Sequence, residues 1–144
     1  QNIDDLHERA GSKSVLHLHG ELMKVRSVRN PNLVTTLTDD NCEIHLGDKA
    51  SDGAQLRPDI VWFGEAVPNF EPAVELAQQA DIFLIVGTSL NVYPAAGLIN
   101  YVPYETPIYI IDPKIVPVPS TRKITMIQKG ASEGMKDFIK MVKA

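Results

Sequence analysis

The sequence predicts an α/β fold, a parallel sheet covered by helices with a small β-hairpin module inserted, and three observations carry that expectation. From Pro58 onward apolar runs alternate with amphipathic stretches in the order strand, helix, strand, helix, as in a parallel sheet whose crossovers are helical. Residues 82–86 and 108–111 are unbroken apolar runs, the pattern of strands buried on both faces. Residues 29–57 are polar and dense in turn formers, at Asn30 with Pro31, Asp39 to Asn41, Gly47 with Asp48, and Asp52 with Gly53. Only short β-like pieces, at 33–37 and 43–46, interrupt that segment.

Along the chain, residues 4–10 supply one or two helical turns, and Gly11 suits the left-handed position just past a helix end. Residues 15–28 alternate, with Val15, His17 and His19 on one face and Leu16 and Leu18 on the other. Gly20 breaks the run, so a strand, a turn and a second strand are expected. A strand at 60–63 and a helix at 71–80 follow the polar segment. Then come the buried strand at 82–86, a short helix at 95–101, the buried strand at 108–111, and a loop at 113–119 stiffened by three prolines. A last strand spans 124–127. Ser132 is placed to cap a final helix whose Met135, Phe138, Ile139 and Val142 recur at helical spacing. The expected division is one domain from residues 1–23 and 57–144, with 24–56 as the inserted module.

The 144 residues are 44% hydrophobic and 22% charged, the composition of an ordinary globular domain. A net charge of -4 gives no global attraction to nucleic acid or an anionic membrane. No apolar run approaches the roughly 20 residues that span a bilayer, and no charged segment leads into an apolar one at the start. Cys42 is the only cysteine, which excludes an intrachain disulfide and a four-cysteine zinc site and points to a reducing cytoplasm. The chain opens on Gln1 rather than Met, so a trimmed or incomplete chain is expected.

Several short constellations carry chemistry. Gly87, Thr88 and Ser89 follow a buried strand and precede a helix, at the carboxyl edge where open α/β sheets bind ligands. Gly87 allows close backbone approach, and the two hydroxyls and their N–H groups suit ribose or phosphate oxygens; the same residues are also common in plain loops. The dinucleotide fingerprint G-x-G-x-x-G is absent. Asp112, ending the next strand, is either an acceptor for a ribose hydroxyl or a loop cap before Pro113. His19 is a candidate proton acceptor near neutral pH, or a histidine satisfied by backbone groups. Gln1, Asn2 and Asp4 suit recognition of an amide or sugar, or a helix cap cluster. Cys42 and His45 have metal-like spacing, but their surroundings lack further sulfur or imidazole, so no metal is expected. Val61, Trp62 and Phe63, beside Gly64 and Glu65, line an apolar tunnel or fill core.

Five motifs, taken in order and spacing, resemble the sirtuins, NAD-dependent protein-lysine deacylases. They are Gln1-Asn2-Ile3-Asp4 with Leu6-His7 and Ala10-Gly11; His19-Gly20; Arg57-Pro58; Val61-Trp62-Phe63-Gly64-Glu65; and Gly87-Thr88-Ser89-Leu90 with Val92 and Pro94. The likeness runs over essentially the whole chain and is greatest to bacterial-type members. It implies a Rossmann-like parallel sheet and His19 as the catalytic base. Asn2 and Asp4 would belong to the nicotinamide carboxamide pocket, with Gln1 on the nicotinamide ribose and Gly87, Thr88 and Ser89 on the adenosine side of NAD; Asp112 is a cofactor candidate from its strand-end position alone. Val61 and Phe63 would surround the acyl-lysine stem, while the backbones of Gly64, Glu65, Asn91, Val92 and Tyr93 pair with the substrate peptide by strand addition. In the implied reaction the acyl oxygen attacks the ribose carbon that bears nicotinamide, His19 takes a ribose hydroxyl proton, and water completes the formation of O-acyl-ADP-ribose.

Two departures qualify the resemblance. The family's zinc module carries two cysteine pairs where residues 24–56 hold only Cys42, so a zinc-free β-hairpin module, packed through Leu33, Val34, Leu37, Ile44 and Leu46, is expected to replace it. The family's N-terminal Gly-Ala-Gly phosphate loop has no counterpart here, so an N-terminal half of the enzyme is expected as a partner, alongside acyl-lysine proteins or peptides. Neither membrane nor nucleic acid is expected as a partner. Two other functions stay open at this point: a non-catalytic acyl-lysine or ADP-ribose binding module, and a mono-ADP-ribosyltransferase.

Overall fold

The computed structural model describes residues 1–118 and 122–143, and Pro119 of the proline-bearing loop lies outside the described residues. Two compact units divide the chain, Gln1–Asn69 and Phe70–Ala144.

In the first unit α1 is a single turn, Leu6–Arg9, and Gly11 follows it at φ 93. Strand β1 (Gly20–Ser27) lies between β2 (Val34–Thr36) and β3 (Leu56–Ile60), and both pairings are antiparallel. Gly20 is required where β1 meets β3. Its φ is 82, and a Cβ there would stand 2.0 Å from the carbonyl oxygen of Asp59, so no other residue fits without moving β3. Between Glu21 and Val25 the register shifts. The N–H of Leu22 turns instead to Ile3 O at 2.7 Å, and Met23 O accepts from Leu37 N at 2.8 Å. The bulge therefore ties the start of the chain to β1, and Pro58, which has no N–H to give, sits opposite Val25 just past it.

Four expectations fail in this unit. Residues 15–19 form no strand, since no described strand pairs with them; a turn bond from Gly20 N to His17 O closes the stretch. Residues 43–46 also lie outside the strands, and β3 ends at Ile60, where the expected 60–63 strand begins. Nor does apolar packing secure the inserted segment as expected. Val34 is 43% exposed and Leu46 97%, while Leu33, Leu37 and Ile44 are half-buried. Side chains bonding to backbone hold it instead. Gln55 accepts from Gly47 N and donates to the carbonyls of His45 and Leu56, Asp48 accepts from His45 N, and buried Ser27 donates to Asp52.

The second unit is the parallel sheet that the sequence predicts. β4 (Phe83–Val86), β5 (Ile108–Ile111) and β6 (Ile124–Ile127) lie in that order, all parallel. β5 is central, with Ile108, Ile110 and Ile111 at 1%, 0% and 0% exposure. β4 departs from the expectation of burial on both faces, because among the described residues only β5 pairs with it; Ile82 and Val86 remain 43% and 39% exposed. Helix α2 (Phe70–Gln78) and a 3₁₀ helix (Ala95–Asn100) pack together, and α3 (Ala131–Lys143) packs on β5 and β6. Gly134 makes that last packing possible, since a Cβ there would lie 2.3 Å from Ile111 Cγ2. Phe138 meets Tyr109 edge-on, centroids 5.0 Å apart. Ser132 is the second residue of α3 and not its cap. The core joins Ala77, Ile85, Ile99, Val102, Ile108, Ile110 and Val116; a buried Ile is worth about 1.5–3 kcal/mol each.

Candidate functional site

In the first unit His19 is half-buried at the turn that enters β1. Its Nδ1 lies 3.2 Å from the carbonyl oxygen of Gln1. A carbonyl only accepts, so Nδ1 carries the ring proton in this contact, and Nε2 of the neutral ring keeps its lone pair free to take a proton. The backbone is fixed too, because Val61 N donates to His19 O at 2.9 Å. The bond from Leu22 N to Ile3 O thus brings Gln1 beside His19 through the bulge. Asn2 is exposed, and Asp4 is half-buried with Oδ1 accepting Leu6 N at 3.1 Å; the cap geometry is present at Asp4, one residue earlier than the formal cap Asp5.

His17 serves the scaffold. Its Nε2 is 2.5 Å from Glu8 Oε1, and its carbonyl accepts from Asn69 Nδ2 at 2.7 Å. Val61 is half-buried, but Trp62 is 54% exposed and Phe63 95%. That exposure excludes core filling for Phe63. The turn carrying it is held by Glu65, which takes both Arg57 Nη1 and Nη2, at 2.6 and 3.0 Å, and Trp62 N at 3.0 Å. Those bonds, led by the guanidinium, lower the Glu65 carboxyl to about 2. Gly64 provides the left-handed residue, φ 90.

In the second unit Gly87 (φ 64) follows β4 and donates to Ile111 O at 2.9 Å. Thr88 Oγ1 accepts Leu90 N at 3.4 Å. Leu90 has φ 56, a conformation costing a leucine about 1–2 kcal/mol, and its side chain packs on the core. Gly87 and Asp112 each follow the last residue of adjacent strands, paired through Val86 and Ile111, so Gly87, Thr88, Ser89 and Asp112 share one carboxyl edge. Asp112 Oδ1 accepts Lys114 N at 2.8 Å, as the loop-cap reading requires. Asn91, Val92 and Tyr93 are exposed and lead into the 3₁₀ helix across a cis Tyr93–Pro94 bond. No three His, Cys, Asp or Glu side chains gather to hold a metal ion among the described residues, and Cys42 is exposed.

The model of the Sir2 family matches residues 1–94. The chain belongs to the Sir2 family. It is 57% identical over 141 residues to an NAD-dependent protein deacylase of Bacteroides thetaiotaomicron, covering 96% of this chain and 60% of that one. Among solved structures, a Sir2 homolog–NAD complex superposes with a TM-score of 0.83 at 35% identity, covering 99% of this chain and 56% of that one. Sir2Tm bound to a propionylated peptide gives 0.76 at 27% identity, covering 99% and 62%. The chain thus spans about 60% of the length of the deacylase it matches.

The supporting bonds of this Sir2-family chain leave no local signal in the sequence. Asn69 lies 52 residues from the His17 carbonyl it holds, and no local pattern announces such a pair. Arg57 was legible as a motif residue, whereas its grip on Glu65 shows only once β3 and the following turn are folded.

Proposed function

We propose that this chain takes part in NAD-dependent removal of acyl groups, most of all acetyl, from protein lysine, with nicotinamide and O-acyl-ADP-ribose as products. NAD and the acyl-lysine peptide are the two substrates. The observation that carries the reading is the Gln1 carbonyl on His19 Nδ1, which leaves Nε2 as the base that a ribose hydroxyl needs. Family membership and the relative named as a deacylase support it.

In this reading Asn2 and Asp4 serve the carboxamide, Gln1 the nicotinamide ribose, and Gly87, Thr88, Ser89 and Asp112 the adenosine side. Phe63 and Val61 take the acyl-lysine stem, and Phe63 is exposed to meet it. The backbones of Gly64 and Glu65, and of Asn91, Val92 and Tyr93, hold the peptide by main-chain hydrogen bonds, a recognition that tolerates many sequences. The inserted segment works without zinc, and the single cysteine supports a reducing, cytoplasmic setting. No described helix is long and apolar enough to cross a membrane.

The test is His19→Ala in the enzyme of family length that carries this segment. Acyl-peptide turnover should disappear while peptide binding survives, and unchanged turnover would remove His19 from its role.

A further inference from the structure

The 3₁₀ helix Ala95–Asn100 is held at both ends. At its start Ala96 N donates to Val92 O at 2.8 Å and Gly97 N to Pro94 O at 2.9 Å. At its finish stands Arg122. Nη1 donates to Ile99 O at 3.0 Å and Val102 O at 2.9 Å, and Nη2 to Val102 O at 2.9 Å and Pro103 O at 2.6 Å. The last carbonyls of a helix have no donors within it, and the flat fork of a guanidinium meets several at once, as a lysine ammonium does not. Ile99 and Val102 are 6% and 3% exposed, so these carbonyls are anchored to the core. The Arg122 guanidinium carbon also lies 5.9 Å from the centroid of the Tyr104 ring, and its Nε is buried without a hydrogen-bond partner among the described residues.

We infer that Arg122 is a positioning residue for the loop of Asn91, Val92 and Tyr93. It clamps the far end of the 3₁₀ helix, and the near end is bonded directly to Val92, so the helix works as a strut that sets where the peptide-pairing backbone sits. This rests on the reading that those three residues hold the peptide.

Two measurements test it, and the first does not depend on that reading. In Arg122→Met the amides of Ala96 and Gly97 should exchange hydrogen about tenfold faster while those of β5 keep their protection, and Arg122→Lys should recover part of the difference. Unchanged exchange at Ala96 and Gly97 overturns the clamp. In the family-length enzyme, KM for the acyl peptide should rise about tenfold in Arg122→Met, with KM for NAD and kcat within about twofold. A purely structural part would lower the active fraction, and so the apparent kcat, leaving both KM values alone; that result, or an unmoved peptide KM, overturns positioning. A wild-type enzyme inactive on acyl peptides would sink the deacylase reading instead, and the exchange data would still decide the clamp.

Discussion

The hydroxyl of Ser27 donates to Asp52 Oδ2 at 2.7 Å and accepts the N–H groups of Arg29 and Asn30 at 3.0 and 3.2 Å, with Ser27 fully buried. One oxygen thus gathers the turn that leaves β1 and joins it to the far end of the inserted segment, 25 residues on. Ser27→Ala should lower stability, because it takes away the acceptor of two N–H groups and a donor to the Asp52 carboxylate; denaturant unfolding measures it. The Asp52 carboxyl is held below its ordinary value, chiefly by the Ser27 hydroxyl and then by Ala54 N. A depressed carboxyl stabilises above its unfolded value and loses that contribution as pH falls through the folded one. The acid limb of the stability curve should therefore be shallower in Ser27→Ala than in the wild type.

If such bonds hold the inserted segment, metal is dispensable. A chelator should leave Tm unmoved, and elemental analysis should find far less than one metal per chain. Near-stoichiometric zinc would contradict this.

Gly20→Ala should be severe. The added Cβ meets the Asp59 carbonyl oxygen at 2.0 Å while φ stays at 82, so a loss of about 3 kcal/mol or more is expected. Gly11→Ala has nothing within 4 Å of the new Cβ and bears only the φ penalty, which makes it the matched control in the same melting experiment.

Glu65 supplies the pH prediction for the turn that carries Phe63. Its carboxyl is lowered from 4.5 to about 2, by the Arg57 bond first and Trp62 N second. The folded value is the depressed one, so the bond is fully present above 4.5 and is lost as pH drops toward 2. The amide of Trp62 should lose exchange protection in that window, and in Glu65→Gln the loss should already be present at neutral pH.

Much of this was legible in the sequence because the second unit obeys local rules. The runs at Phe83 and Ile108, the helix from Ala131 and the Gly87 turn follow from apolar period and turn chemistry. β3 was displaced because Arg57 closes the polar segment and the apolar run begins only at Ile60. Its pairing is set by the bulge in β1, and Arg26 meets Asp59 at 3.1 Å only across that pairing. Residues 15–19 alternate as a strand does, yet a strand needs a paired ladder, and none of the described strand pairings includes them. At the site, residue types were readable, but the contact of Gln1 with His19 was not, because it depends on where the bulge sends Leu22.

His19, with its Nδ1 on a backbone carbonyl, is proposed as the base for acyl transfer from lysine to ADP-ribose. The direct measurement is nicotinamide release from NAD with acetyl-lysine peptide, succinyl-lysine peptide or no peptide, using the 144-residue chain and the family-length enzyme that carries it, each beside His19→Ala. Release in the family-length enzyme should require an acyl peptide, be coupled to O-acyl-ADP-ribose, and vanish in His19→Ala. Release that ignores the peptide, or that survives in His19→Ala with the acyl product intact, would contradict the role proposed for His19.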